Sequence, residues 1–156
     1  MILAPTVRLA VPADAAPIAE MSRRYIEQGL GWSWTAARVL RSIGDDATNV
    51  AVARQGRRVL GFGIMQYGDQ HAHLALLAVE LDQRQRGVGA QLLAWLEHCA
   101  RVAGLQRIRL EARRDNAGAL AFYEGQGYRR TGIAGGYYLG VLDAVRLEKT
   151  LVPTDA

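Results

Sequence analysis

The chain has 156 residues, 50% of them hydrophobic and 22% charged, with nineteen basic against fifteen acidic residues, a net charge of +4 and a pI near 9.6. That composition excludes a disordered chain and predicts one domain over 1–156 able to bury a core, with an ordered part over about 6–151. No apolar run approaches the roughly 20 residues of a membrane helix, so no membrane association is expected. No basic segment precedes the first apolar residues, which predicts no signal peptide and a cytoplasmic location. The lone Cys99 excludes an intrachain disulfide and a Cys-rich zinc site, and its helical neighbours Leu96 and Ala100 suit a core residue.

Residues 6–11 alternate as a first strand. Pro12-Ala13-Asp14 offers a turn and a helix cap, and Ile18, Met21 and Tyr25 recur at helical spacing over 15–27. Gly29-Leu30-Gly31 ends that helix. Trp32 and Trp34 follow in a loop, where they either line a substrate groove or cover the core. Thr35 caps a second helix reaching about residue 43. Strands are predicted over 49–54, 58–67 and 71–79, separated by Gln55-Gly56-Arg57 and Gly68-Asp69 turns. A long helix over 87–103 carries Val88, Leu92, Leu96, Cys99 and Ala103 on one face, pairs Glu97 with Arg101, and stops at Gly104. Residues 107–112 alternate as a strand with Ile108 and Leu110 on one face and Glu111 on the other. Asp115 or Asn116 caps a short helix over 117–124. Two strands, 128–133 and 143–151, close the chain across a Gly- and Tyr-rich connection. The order β-α-α-β-β-β-α-β-α-β-β indicates an α/β or α+β domain with a mixed sheet.

The stretch 74–93, LALLAVELDQRQRGVGAQLL, runs from a strand through an arginine-bearing, glycine-punctuated turn into a helix. Free N–H groups and the positive end of the helix dipole meet there, as an anion site requires. Arg84, Arg86, Arg107, Arg109, Arg113 and Arg114 cluster around this turn and the later strand. A small polyanion accounts for them better than nucleic acid, whose binders interleave aromatics that 107–114 lacks. Leu92 occupies the place of the third glycine of a dinucleotide fingerprint, and no Gly-Lys-Ser/Thr is present, so neither the Rossmann nor the Walker pattern applies.

Arg84-Gln85-Arg86-Gly87-Val88-Gly89-Ala90 resembles the R/Q-x-x-G-x-G/A signature of the GNAT superfamily of N-acetyltransferases. A second segment, from Leu110-Glu111-Ala112 through Asn116 to Phe122-Tyr123-Glu124-Gly125-Gln126-Gly127-Tyr128, resembles that superfamily's later strand–Asn–helix–FYxxxGF/Y motif. The resemblance covers residues 6–151. It implies a mixed, mostly antiparallel twisted sheet flanked by about four helices and split after the fourth strand. The co-substrate it implies is acetyl-coenzyme A, with no metal. The loop from Arg84 to Ala90 would cradle the pyrophosphate, the backbone of Leu77, Ala78 and Val79 the pantetheine arm, and Asn116 would bond the arm as well as cap its helix. A backbone N–H at or near Val79 would stabilise the oxyanion. Tyr123 matches the general acid, since a phenol stays protonated at neutral pH and can donate to a departing thiolate.

Two residues compete as base. Glu111 sits in a Leu-Glu-x-Arg motif resembling a bacterial subfamily that acetylates the N-terminal alanine of a ribosomal protein. A carboxylate there must be raised by burial or act through water, and an ion pair with Arg109 or Arg113 is the alternative. His73 falls where histone-acetylating relatives carry a catalytic glutamate, and imidazole is matched to neutral pH. Gly136-Tyr137-Tyr138 and Asp143-Ala144-Val145 extend the likeness to the alanine-acetylating subfamily. Trp32-Ser33 only partly echoes its PWS segment, and Leu76 replaces its strand asparagine. The acceptor amine is therefore either a peptide or protein N-terminus or a small molecule. A non-catalytic acyl-coenzyme A sensor or nucleic-acid module is the remaining alternative, and a homodimer stays open.

Overall fold

The computed structural model describes residues 4–138 and 142–151. Seven strands form one sheet: β1 (Thr6–Leu9), β2 (Thr48–Gln55), β3 (Arg58–Tyr67), β4 (His71–Val79), β5 (Arg107–Arg113), β6 (Arg129–Tyr138) and β7 (Leu142–Thr150). The helices are α1 (Ala15–Tyr25), α2 (Ala36–Ile43), α3 (Val88–Val102) and α4 (Ala117–Gly125). Strand order is β1-β2-β3-β4-β5-β7-β6. Every neighbouring pair is antiparallel except β4–β5, which is parallel and bridged by α3. The element order and the mixed, mostly antiparallel sheet agree with expectation.

Three boundaries differ from expectation. The first strand stops at Leu9, because Val11 donates its N–H to Asp14 Oδ2 at 2.9 Å and the chain turns over Pro12–Asp14. Asp14 does not cap α1; its buried carboxylate holds Arg54 at 2.7 Å and Arg8 at 3.6 Å instead. Helix α1 ends at Tyr25, two residues early, because the N–H groups of Ile26 and Glu27 both close onto Ser22 O. The Gly- and Tyr-rich connection is largely strand, since β6 runs on to Tyr138 and β7 starts at Leu142; residues 139–141 lie outside the described residues. So do the side chains of 136–138, which carry the Gly-Tyr-Tyr likeness.

The sheet separates two cores. One face packs Leu92, Leu93 and Leu96 of α3, together with Leu120 and Tyr123 of α4, against β4, β5 and β7. The other packs Ile18 and Met21 of α1 and Val39 of α2 against β2, β3 and β4. Trp34 joins this second core with the Arg38 guanidinium 3.7 Å from its ring centre, whereas Trp32 is 45% exposed. Trp34 thus covers the core, as one of the two expectations had it. Glu97 on α3 is buried: Lys149 Nζ approaches at 3.0 Å and the Tyr128 hydroxyl donates to it at 2.8 Å, both closer than the expected partner Arg101 at 3.9 Å. Burial, and next the Glu97 carboxylate, push the Tyr128 phenol far above its ordinary range, so it stays a donor. Cys99 is half-buried, and desolvation pushes its thiol up.

Strand β4 carries a β-bulge. Met65 pairs with Leu74 and Ile64 with Leu76, which leaves Ala75 as the extra residue. A one-residue slip sends following side chains to the opposite face. Accordingly Ala72 and Leu74 point to the α3 core, Leu76 and Ala78 to the α1–α2 core, and Leu77 and Val79 return to α3. Helix α3 lies close over β3, where a Cβ on Gly61 would meet Ala78 O at 2.9 Å and Leu92 Cδ1 at 3.1 Å. Because the carbonyl is backbone, it cannot yield as a side chain does. Gly61→Ala is expected to lower unfolding free energy by about 1–3 kcal/mol in chemical denaturation, the usual cost of overpacking.

Candidate active site

The parallel pairing of β4 with β5 is short. It joins residues 71–74 to 107–110 and ends at Leu74↔Leu110, beside the bulge. Beyond it β4 continues through Val79 without β5, the split expected after the fourth strand. Glu80 N–H donates to Leu60 O at 2.8 Å, so strand alternation turns the amides of Val79 and Leu77 away from β3 and into the opening. Ala78 lies between them with its side chain in the core.

The opening leads to the N-terminus of α3. Gln85 (φ 63°) and Gly87 (φ 83°) both take the left-handed conformation, and Gly87 is the residue that precedes the helix. The helical ladder begins with Gln91 N–H to Gly87 O at 2.9 Å, so the amides of Val88, Gly89 and Ala90 precede it and need other partners. Gln85, Arg86 and Gly87 are exposed beside them. Arg84 instead folds back: its Nε donates to Val79 O at 3.3 Å and its guanidinium stacks 4.8 Å from the Tyr25 ring centre. The Tyr25 hydroxyl accepts from Leu81 N–H at 3.2 Å and donates to Glu80 at 3.3 Å, tying α1 to this loop. Gly89 is small for a packing reason, since a Cβ there would lie 3.3 Å from Phe122 Cζ. That contact docks α4 on the start of α3. Asn116 Oδ1 caps α4 by accepting Ala119 N–H at 3.0 Å, and Tyr123 is buried between Phe122 and Tyr128 with ring centroids at 5.3 and 5.8 Å. A polyanion with an extended amide-bearing arm fits this combination of free helical amides, exposed arginine and unpaired strand backbone.

The competing base candidates are partners. His73 Nε2 and Glu111 Oε2 lie 2.5 Å apart, at the point where β4 and β5 separate. His73 Nδ1 faces Gln66 Oε1 at 3.4 Å. Arg109 engages Glu148 at 3.2 Å and Arg113 engages Asp115 at 3.0 Å. The imidazole–carboxylate pair lines a cleft of about 410 Å³ floored by Arg109, Thr131, Arg146 and Glu148. This is the sheet face that carries α1 and α2.

One edge of this region is set by features that sequence reasoning left unassigned. Arg113 Nη1 donates to the carbonyls of Gln28 at 2.6 Å and Ile26 at 3.2 Å, fastening β5 to the α1–α2 connection. Glu27, buried, accepts from Ser33 N–H at 2.7 Å, Ser33 Oγ at 2.6 Å and Ser22 Oγ at 3.0 Å, with Trp34 N–H at 3.3 Å. An acidic residue followed at six and seven positions by Ser-Trp has no periodic signature, so the fold alone reveals it. Arg146 and Glu148 were visible as the polar positions of an alternating strand, but their proximity to Glu111 depends on β7 register.

A split parallel pair facing a glycine-led helix N-terminus defines the class of acyl-coenzyme A-dependent transferases. The chain belongs to the Acetyltransferase (GNAT) family, matched over residues 18–128, and is an N-acetyltransferase. It is 30% identical over 115 residues, 73% of its length and 77% of the relative's, to the ribosomal protein bS18-alanine N-acetyltransferase of Escherichia coli K12. Among solved structures it resembles Ard1 from Thermoplasma volcanium, with a TM-score of 0.84, 25% identity and coverage of 96% of this chain and 99% of that one. A second is the PaiA N-acetyltransferase from Thermoplasma acidophilum in complex with coenzyme A, with a TM-score of 0.82, 17% identity and coverage of 96% and 100%.

Gly89→Glu would press a side chain against Phe122 and bring a carboxylate to the free amides. Coenzyme A affinity measured by calorimetry is expected to fall at least about a hundredfold, about 2.8 kcal/mol, with the circular dichroism spectrum retained. Unchanged affinity would remove the α3 N-terminus from the coenzyme site.

Proposed function

We propose that the protein transfers an acetyl group from acetyl-coenzyme A directly to the α-amine of a peptide or protein N-terminus. The observation that carries this reading is the His73–Glu111 pair beside the strand split. It puts a proton acceptor next to the slot suited to the thioester. The bS18-alanine specificity of the 30%-identical relative favours a peptide acceptor over a small amine.

Acetyl-coenzyme A supplies the activated acetyl group. Val88, Gly89 and Ala90 amides with Gln85 and Arg86 hold its pyrophosphate, while Leu77, Ala78 and Val79 flank the pantetheine arm, with Asn116 contributing from the start of α4. His73 and Glu111 act as one unit that takes the proton from the ammonium, since the carboxylate orients the imidazole and stabilises its charged form. The neutral nitrogen then forms the new C–N bond and the C–S bond breaks. The Val79 amide, turned into the opening, suits the oxyanion. Tyr123 gives its proton to the departing thiolate and regains one through solvent, which balances the second proton that the acylated nitrogen sheds.

Coupling within the pair is the critical test. His73→Ala and Glu111→Gln are each expected to lower kcat by about 10²–10⁴, the range of a general base, in a thiol-release assay with product mass confirmed. The double variant should be no slower than the worse single one, because residues acting as a unit are not additive; independent, multiplying losses would dissolve the pair. Tyr123→Phe is expected to reduce kcat with coenzyme A affinity retained. Full turnover in that variant would end its role as acid.

A further inference from the structure

The cleft beside the His73–Glu111 pair has a charge pattern that constrains the acceptor. Arg107 and Arg109 share a single carboxylate, Glu148, at 3.4 and 3.2 Å. Arg146 lies opposite Glu111 in the β5–β7 register, and Arg129 lies opposite Glu148 in the β6–β7 register. Cross-strand partners share a face, so four guanidiniums (107, 109, 129 and 146) stand on the strip where Glu111 and Glu148 are the carboxylates. Glu111 is engaged by His73. Among the described residues Arg146 enters no ion pair, is exposed, and lines the cleft. The strip runs from the dyad along β5 and β7 on the face that lines the cleft, within reach of the groups attached to an amine that meets the dyad.

We infer that this strip selects an acceptor whose amine is followed within a few bonds by a carboxylate, which Arg146 and its neighbours hold. The inference rests on the reading above that the amine meets the His73–Glu111 pair. Two effects act together. A carboxylate can form charge-assisted bonds to a guanidinium that lacks a partner. The surrounding positive charge also disfavours the ammonium form of the amine and so supplies the neutral nucleophile. A polycationic acceptor meets like charge instead. The carboxylate comes either from acidic side chains just behind a peptide N-terminus or from a free amino acid.

Peptides beginning Ala-Glu-Glu, Ala-Gln-Gln and Ala-Arg-Arg, with free glutamate and glutamine as separate arms, distinguish these cases. The acidic peptide is expected to exceed the glutamine peptide about tenfold in kcat/KM, through KM, with the arginine peptide lowest. The gap should shrink in high salt. Arg146→Gln should erase the preference and Arg146→Glu should reverse it. A greater advantage of free glutamate over glutamine than of the acidic over the neutral peptide would assign the carboxylate to a small acceptor. Equal rates across charge, or a preference for the basic peptide, would overturn the inference and leave acetyl transfer intact. If no arm is turned over, the transfer reading falls, and calorimetry of the same peptides on the coenzyme A-loaded protein decides the inference. Arg146-dependent binding of the acidic peptide supports it, and charge-independent or absent binding refutes it.

Discussion

One extra residue, Ala75, governs the architecture of the site. A bulge in β4 offsets the strand by one position, and parallel pairing with β5 ends beside it at Leu74↔Leu110. Had the pairing continued, the outward amides of Leu77 and Val79 would be spent on β5, and no extended ligand could lie between the strands. Unpaired backbone inside a sheet is costly, so the opening survives because both faces of β4 are anchored. Leu76 and Ala78 are locked into the α1–α2 core and Leu77 and Val79 into the α3 core. The same bulge bears on the His73–Glu111 pair. His73 precedes it and remains in register with Arg109, which brings its imidazole to Glu111.

Around this opening the elements of the candidate site are separated by sheet face. Helices α3 and α4, locked by the Gly89–Phe122 contact, form one side. The α1–α2 connection bounds the other side, held from within by Glu27 and from the sheet by Arg113. A loop of this kind would ordinarily be mobile; here a buried carboxylate with several donors and a two-carbonyl arginine clasp fix its course. Tyr25 crosses between the two sides, since its ring stacks on Arg84 of the glycine loop while its helix leads into the α1–α2 connection.

The electrostatics divide in the same manner. The positive potential inferred from composition is not spread evenly. Arg58 is paired with Asp82 and Arg114 with Asp143, so much of the excess is neutralised locally. What remains unpaired among the described residues includes Arg86 beside the free amides and Arg146 in the cleft. Of the arginines read from sequence as a polyanion cluster, 84 braces the loop, 109 neutralises Glu148 and 113 holds the α1–α2 connection.

Element order, the glycine-led helix, the Asn116 cap and both base candidates were legible in the chain, because each depends on local periodicity, caps and turn chemistry. Strand limits failed where a side chain took over a backbone partner, as Asp14 does at Val11, and where the Gly- and Tyr-rich connection extended β6 to Tyr138. Sequence left His73 and Glu111 as rivals, 38 positions apart, and did not place a bulge at any particular residue of 71–79. Tertiary structure decided both. A bulge conserves alternation in sequence while reversing it in space, and its position at Ala75 shows only in the register with β3. The dyad, the arginine strip and the Glu27 anchor likewise depend on cross-strand register and chain crossing, distances that no local pattern encodes.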